Sequence, residues 1–148
     1  MYLMMREDRH FDHDLIKKRL IDFEGLVLKA YTCPTGYISV GVGRNLETNG
    51  ITEEEAMYLL NNDIADVINK LDKHWTAWRK LPITAQYVCI DVVFNCGINT
   101  WMSFRRTRSY MELSEWEKAG DELLDSKYAK QVGRRAIFNS EQLKSCQA

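Results

Sequence analysis

The chain is poor in the residues that build metal sites, disulfide scaffolds and flexible linkers, with 4 cysteines, 3 histidines and 2 prolines among 148 residues. Cys33, Cys89, Cys96 and Cys146 show none of the paired spacings of a zinc site and are too sparse for a disulfide framework. Free thiols made in a reducing compartment are therefore expected, with no metal and no other cofactor. Charge of one sign is also lacking: 20 basic against 21 acidic residues leave a net charge of -1 and no field to attract nucleic acid. Long apolar runs are missing too. The opening Met1–Met5 stretch stops at Arg6, too short for a signal peptide core, and the apolar segment 83–96 is interrupted by Asp91 and too short to span a bilayer. What remains is a single folding unit made in the cytoplasm, acting as a monomer without stable membrane insertion. A slight basic bias after residue 100, 9 basic against 7 acidic side chains, falls mainly on solvated helix faces.

The pattern that is present predicts an α+β fold. Asp12 can cap a first helix carrying Leu15, Ile16, Leu20 and Phe23 at helical spacing, with Gly25 as its stop and Glu24 in its last turn. From Leu26 to Gly43 the period changes to two, and Cys33-Pro34-Thr35-Gly36 suits a type I turn, so 28–32 and 37–43 should form an antiparallel hairpin. Thr52-Glu53-Glu54-Glu55 reads as a capping box opening a long helix with a stripe of Met57, Leu60, Ile64, Val67, Ile68 and Leu71. A short helical turn over 74–80 precedes Pro82, and 83–96 is apolar around most of its circumference, as in a helix wrapped by others. Helices near 103–112, 115–131 and 133–145 follow, the second opened by a capping box at Ser114–Glu117. The layout is one domain: a hairpin lobe over about 25–65 and a helical lobe of about 1–24 plus 66–148, joined by the long helix with a cleft between.

Three side chains in this layout suggest glycosidic bond cleavage. That reaction needs an acid to protonate the leaving oxygen and a group to deliver water to the anomeric carbon. Glu24 suits the first task, because the negative end of the helix macrodipole favours the protonated carboxyl. Ser39 shares a strand face with Gly41 and Gly43, where missing side chains leave room for a sugar ring, and its hydroxyl can both accept from and donate to a water. Cys33 opens the turn where Asp, Asn or Ser is usual; its thiol can orient water, or as thiolate act as base or nucleophile. Each has a plain alternative: an exposed glutamate before a glycine cap, an ordinary strand serine, a small partly buried thiol.

Taken together these residues resemble the phage-type lysozymes, the endolysins of glycoside hydrolase family 24. The resemblance runs from Leu20-Ile21-Asp22-Phe23-Glu24-Gly25 through Gly36-Tyr37-Ile38-Ser39-Val40-Gly41-Val42-Gly43-Arg44-Asn45 to Gly50–Ala56. It continues in Phe94-Asn95-Cys96-Gly97 and in 126–136, covering about residues 15–138 in consistent order. It implies a lysozyme-like fold and cleavage of the β-1,4 bond between N-acetylmuramic acid and N-acetylglucosamine in bacterial peptidoglycan. It also implies a catalytic set of Glu24, Cys33 and Ser39, where the family has glutamate, aspartate or cysteine, and threonine. Ser39 lacks the methyl that restricts threonine's rotamers. By the same resemblance Phe94, Asn95, Thr107 and Arg135 fall at substrate-binding positions, Arg135 near the catalytic glutamate, and Arg44 and Asp63 form a charged pair between hairpin and long helix. An endolysin acts on the wall after release through a membrane pore, so a holin is the implied partner. The competing readings are a lytic transglycosylase on the same bond and a peptidoglycan-binding protein without turnover. A cysteine peptidase fits least, since His10, His13 and His74 sit in no partner motif.

Overall fold

A computed structural model describes residues 11–147, so the Met1–Met5 stretch lies outside the described residues. Backbone contacts divide the chain into two compact units, the first through Leu59 and the second from Leu60. The first holds helix α1 (His13–Glu24), strands β1 (Val27–Thr32), β2 (Ile38–Gly41) and β3 (Arg44–Asn45), and the start of α2 (Glu53–His74). The second holds the rest of α2, a 3₁₀ helix Thr76–Lys80, and α3 (Ile83–Cys96), α4 (Ile98–Ser103), α5 (Arg105–Glu112), α6 (Trp116–Leu124), α7 (Lys127–Val132) and α8 (Arg134–Lys144). This is the expected α+β, lysozyme-like division into a small sheet and a larger helical part.

Local signals form the first unit. Asp12 caps α1 by accepting from the Leu15 N–H at 3.1 Å, and Gly25, at φ +78°, ends it by donating its N–H to the Ile21 carbonyl. The turn closes as its sequence predicts: Gly36 N–H donates to the Cys33 carbonyl and Cys33 N–H to the Tyr37 carbonyl, both at 2.8 Å. The sheet is antiparallel in the order β1-β2-β3, with Val27 opposite Gly41, Tyr31 opposite Ser39 and an irregularity between them. The third strand is absent from the sequence reading. Gly41 and Gly43, at φ +70° and +64°, reverse the chain so that Arg44 pairs with Val40. Both glycines are thus required by the turn, and Gly41 has nothing within 4 Å of where a Cβ would stand.

The capping box at α2 forms in both directions, Thr52 N–H to Glu55 Oε1 at 2.9 Å and Glu55 N–H to Thr52 Oγ at 3.1 Å. The second expected box does not. Ser114 takes φ +57° and closes the helix before it: its N–H donates to the Met111 carbonyl and the next N–H, of Glu115, to that of Tyr110. A left-handed residue after the last turn satisfies orphan carbonyls, and this use of Ser114 outcompetes capping of α6. The single helix expected over 115–131 is likewise two, because Ser126 caps a new one by accepting from the Ala129 N–H. Helix α4, not anticipated, starts at Ile98, after Gly97.

The core of the second unit gathers Leu71, Trp78, Val88, Cys89, Val92, Trp101, Met111, Leu123 and Leu143, with a run of tilted and edge-on aromatic contacts Trp75–Trp101–Phe104–Tyr128. Helix α3 is buried along Ala85, Val88, Cys89, Val92 and Val93 only; Ile83, Tyr87 and Phe94 are exposed, so it is not wrapped on all sides. Its partners are α4, α8 and the 3₁₀ helix, which cover one face. Helices α6 and α8 pack tightly: a Cβ at Gly120 would stand 2.9 Å from the Ser140 carbonyl and 2.7 Å from Lys144 Cγ. Ser140 also donates its hydroxyl to the Gly120 carbonyl at 2.9 Å.

The lysine can swing away but the Ser140 backbone cannot, so Gly120→Ala should be destabilising. Overpacking of ~1–3 kcal/mol outweighs a helix-propensity gain of ~1 kcal/mol at most. Urea titration should show a lower midpoint at unchanged slope, and a raised midpoint would mean that α8 yields.

Candidate active site

The first unit positions three of the candidate residues. Glu24 is the last residue of α1, held there by the Gly25 stop, and its exposed side chain reaches back over the β2–β3 turn. Its Oε2 lies 2.8 Å from where a Gly43 Cβ would stand, so only a glycine leaves that space to the carboxylate. Gly43 thus serves twice, by its positive φ and by this contact.

Cys33 follows β1, two residues beyond Tyr31 and so on the same face as it, and Tyr31 stands opposite Ser39 on β2. Sequence alternation thereby brings the thiol and the serine hydroxyl to one side of the sheet. Ser39 is 3 % exposed, which excludes the reading of an ordinary solvent-facing strand residue. The Cys33 Sγ sits 2.9 Å from Thr35 Oγ1. This side-chain hydrogen bond is the main reason the thiol ionises more readily than an ordinary cysteine; slight desolvation opposes it, and the Thr35 and Tyr37 backbone and the Ser39 hydroxyl assist it. Thr35 is the residue that sequence reasoning missed. Its signal was a hydroxyl two places after the first residue of a predicted turn, where Ser and Thr bond locally.

Arg44 makes its ion pair with Glu55, not with Asp63. Its Nη1 donates to Glu55 Oε1 at 2.9 Å and to the Gly50 carbonyl at 3.2 Å. Glu55 is on the first turn of α2, next to the loop that leads from β3, while Asp63 is two turns farther along. Holding Arg44 and the Thr52 amide, Glu55 is pushed down to about 2, the arginine hydrogen bond being the largest cause.

The four remaining candidates lie in the second unit, on separate hollows. Phe94 borders one with Asp63, Asp66 and Lys70; Asn95 borders another of about 580 Å³ with Lys127, Tyr128 and Gln131. Thr107, only 2 % exposed, backs a third that shares Ser103, Phe104 and Ser126 with the Asn95 hollow. Arg135 faces a fourth with Val132, Arg134 and Phe138. Its guanidinium is engaged by Asp91, Nε to Oδ2 at 2.9 Å and Nη2 to Oδ1 at 2.7 Å. Burial pushes the Asp91 carboxyl up, but the hydrogen bonds from Arg135 and Asn139 outweigh it and hold the group below its ordinary value.

Comparison with known proteins identifies the family. The family model described as phage lysozyme matches residues 21–139, most of the chain. The chain belongs to the phage lysozyme family. Within curated proteins, this family member is 32 % identical over 118 residues to an endolysin of Acyrthosiphon pisum secondary endosymbiont phage 1, covering 76 % of the chain and 77 % of that protein. It is also 27 % identical over 141 residues to the pre-baseplate central spike protein Gp5 of Enterobacteria phage T4, of which it spans 24 %.

Two predictions follow from the sheet. Cys33 should be the fastest of the four thiols to react with iodoacetamide near neutral pH, because burial pushes Cys89, Cys96 and Cys146 up while Cys33 is shifted down. Mass spectrometry after short labelling should find it first, and Thr35→Val should slow it by moving ionisation to higher pH; labelling indifferent to Thr35 would refute the stated cause. Gly43→Ala should displace the Glu24 carboxylate, since that flexible side chain is what the new methyl meets, and add ~1 kcal/mol of backbone strain. Wall-lysis assays should then show a far larger loss than the small drop in melting temperature implies.

Proposed function

We propose that the chain is an endolysin that hydrolyses peptidoglycan as an N-acetylmuramidase, cutting the β-1,4 bond between N-acetylmuramic acid and N-acetylglucosamine. The observation that carries this reading is the grouping of Glu24, Cys33 and the buried Ser39 around one small sheet, inside the span that matches the phage lysozyme family. Glu24 gives its proton to the bridging oxygen as the bond to the anomeric carbon breaks. Water attacks that carbon from the other side, held by the Ser39 hydroxyl and losing its proton to the Cys33 thiolate. Solvent then takes the proton from the thiol, restoring the thiolate, and returns one to the carboxylate. Attack from the face opposite the leaving group inverts the anomeric centre.

A lytic transglycosylase needs one carboxyl, which gives a proton and then takes one from the sugar's own hydroxyl, with no second base, and a wall-binding protein needs neither. The hydrogen bond that favours ionisation of Cys33 supports hydrolysis over both. Phe94, Asn95 and Arg135 have surface to offer a glycan strand, with Thr107 supporting from beneath. The endolysin reading also carries synthesis in the host cytoplasm and passage to the wall through a holin pore.

Glu24→Gln should abolish wall lysis while leaving circular dichroism and melting unchanged; an active, folded variant removes Glu24 as the acid. Cys33→Ala should lose at least ~100-fold in kcat, the usual worth of a general base, and Cys33→Asp should recover much of it. NMR of fresh products should show a reducing end of inverted configuration. An anhydro sugar instead would establish transglycosylation, and full activity of Cys33→Ala would take the thiol out of the mechanism.

A further inference from the structure

Within the second unit, a polar chain runs from the interior to the surface through Tyr128, Asn139, Asp91 and Arg135. Tyr128 and Asn139 are both 2 % exposed, and the Asn139 amide donates to the Tyr128 hydroxyl at 3.0 Å and to Asp91 Oδ2 at 2.7 Å. Asp91 in turn accepts the Nε and Nη2 edge of Arg135, with the Asp91 carbonyl 3.5 Å from Nη2. Two of the five guanidinium N–H groups lie on this edge. The Nη1 pair has no protein acceptor among the described residues, and the side chain, 39 % exposed, borders a hollow of about 520 Å³ with Val132, Arg134 and Phe138.

We propose that Asp91, backed by Asn139 and Tyr128, is a positioning residue that fixes the Arg135 guanidinium so that its Nη1 edge binds an acceptor oxygen of the wall substrate. The inference rests on the hydrolase reading above and adds to it a residue whose role lies wholly in orienting another. A bidentate pair holds the planar guanidinium in one plane and one rotation, which a lone lysine or an unpaired arginine would not. Asn139 fixes the carboxylate itself, and is held in turn by burial and by its bond to the Tyr128 hydroxyl. Asp91 has a second effect that must be separated from this one: Arg135 is in the first turn of α8, where the helix dipole disfavours a cation, so the carboxylate also offsets that cost.

The test measures kcat and KM on soluble peptidoglycan oligomers, together with melting temperature, for Asp91→Asn, Arg135→Ala and the double variant of the full chain. Asp91→Asn keeps shape but loses the charge and one acceptor. It should raise KM by about ten-fold, within the loss that a misplaced binding group produces, with kcat little changed at temperatures well below melting. Arg135→Ala should show the same signature, and the double variant should be no worse than Arg135→Ala alone, because Asp91 acts only through Arg135. Asn139→Ser, which leaves the charge and loosens its hold, should raise KM by less and covers the case in which Asp91→Asn does not fold. A lowered melting temperature with KM unchanged in Asp91→Asn or Asn139→Ser would overturn the proposal, as would additive losses in the double variant. Full activity of Arg135→Ala with an inactive Glu24→Gln would sink this inference and spare the hydrolase reading, whereas an active Glu24→Gln would sink both.

Discussion

The hydrogen-bonded turn from Cys33 to Tyr37 is the constraint on which the candidate site depends. Two 2.8 Å backbone bonds fix where β1 ends and β2 begins, and so which residues face each other across the hairpin. A slip of one residue would send Ser39 to the opposite face, since side chains alternate with a period of two. The same turn places Thr35 within 2.9 Å of the Cys33 sulfur, so one local structure sets both the position of the thiol and its readiness to ionise. The glycines serve this arrangement from the other end: Gly43 reverses the chain into β3 and leaves space for the Glu24 carboxylate.

Charged groups in this protein act by orienting one another more than by attraction. Glu55 satisfies the first turn of α2 and holds Arg44 against the loop before it, so a single carboxylate joins a helix cap to an ion pair. Asp91 does the equivalent in the second unit, between a buried amide and a half-exposed guanidinium. Exposed pairs such as Lys70 with Asp66 carry little weight beside these, because solvent screens them and each must order two long side chains. The pairs that matter are tied to backbone groups or buried polar atoms, whose positions the fold already fixes.

Membership of the phage lysozyme family and the local geometry point the same way, but by different routes. The family match covers residues 21–139 without regard to what any one side chain does. The sheet adds local detail at Cys33, proposed above as the base: a threonine hydroxyl two residues on, in a turn that holds the two together.

Caps, turns and strand alternation were legible in the sequence because each is decided within about five residues. Asp12, Gly25, the Cys33–Gly36 turn and the Thr52–Glu55 box follow from groups that meet whatever the rest of the chain does. Ser114 shows the limit of that reasoning: the same short pattern can cap the next helix or close the preceding one, and the end of α5 decides between them. Partner choice was beyond the sequence for the same reason. Arg44 goes to Glu55 and Arg135 to Asp91 because of which elements come close, and two carboxylates with equal charge are indistinguishable until distance separates them. The sequence alone determined the secondary structure's main punctuation and the residues equipped for chemistry; tertiary structure decided their partners, since electrostatic and hydrogen-bond energies depend on distances that only packing sets.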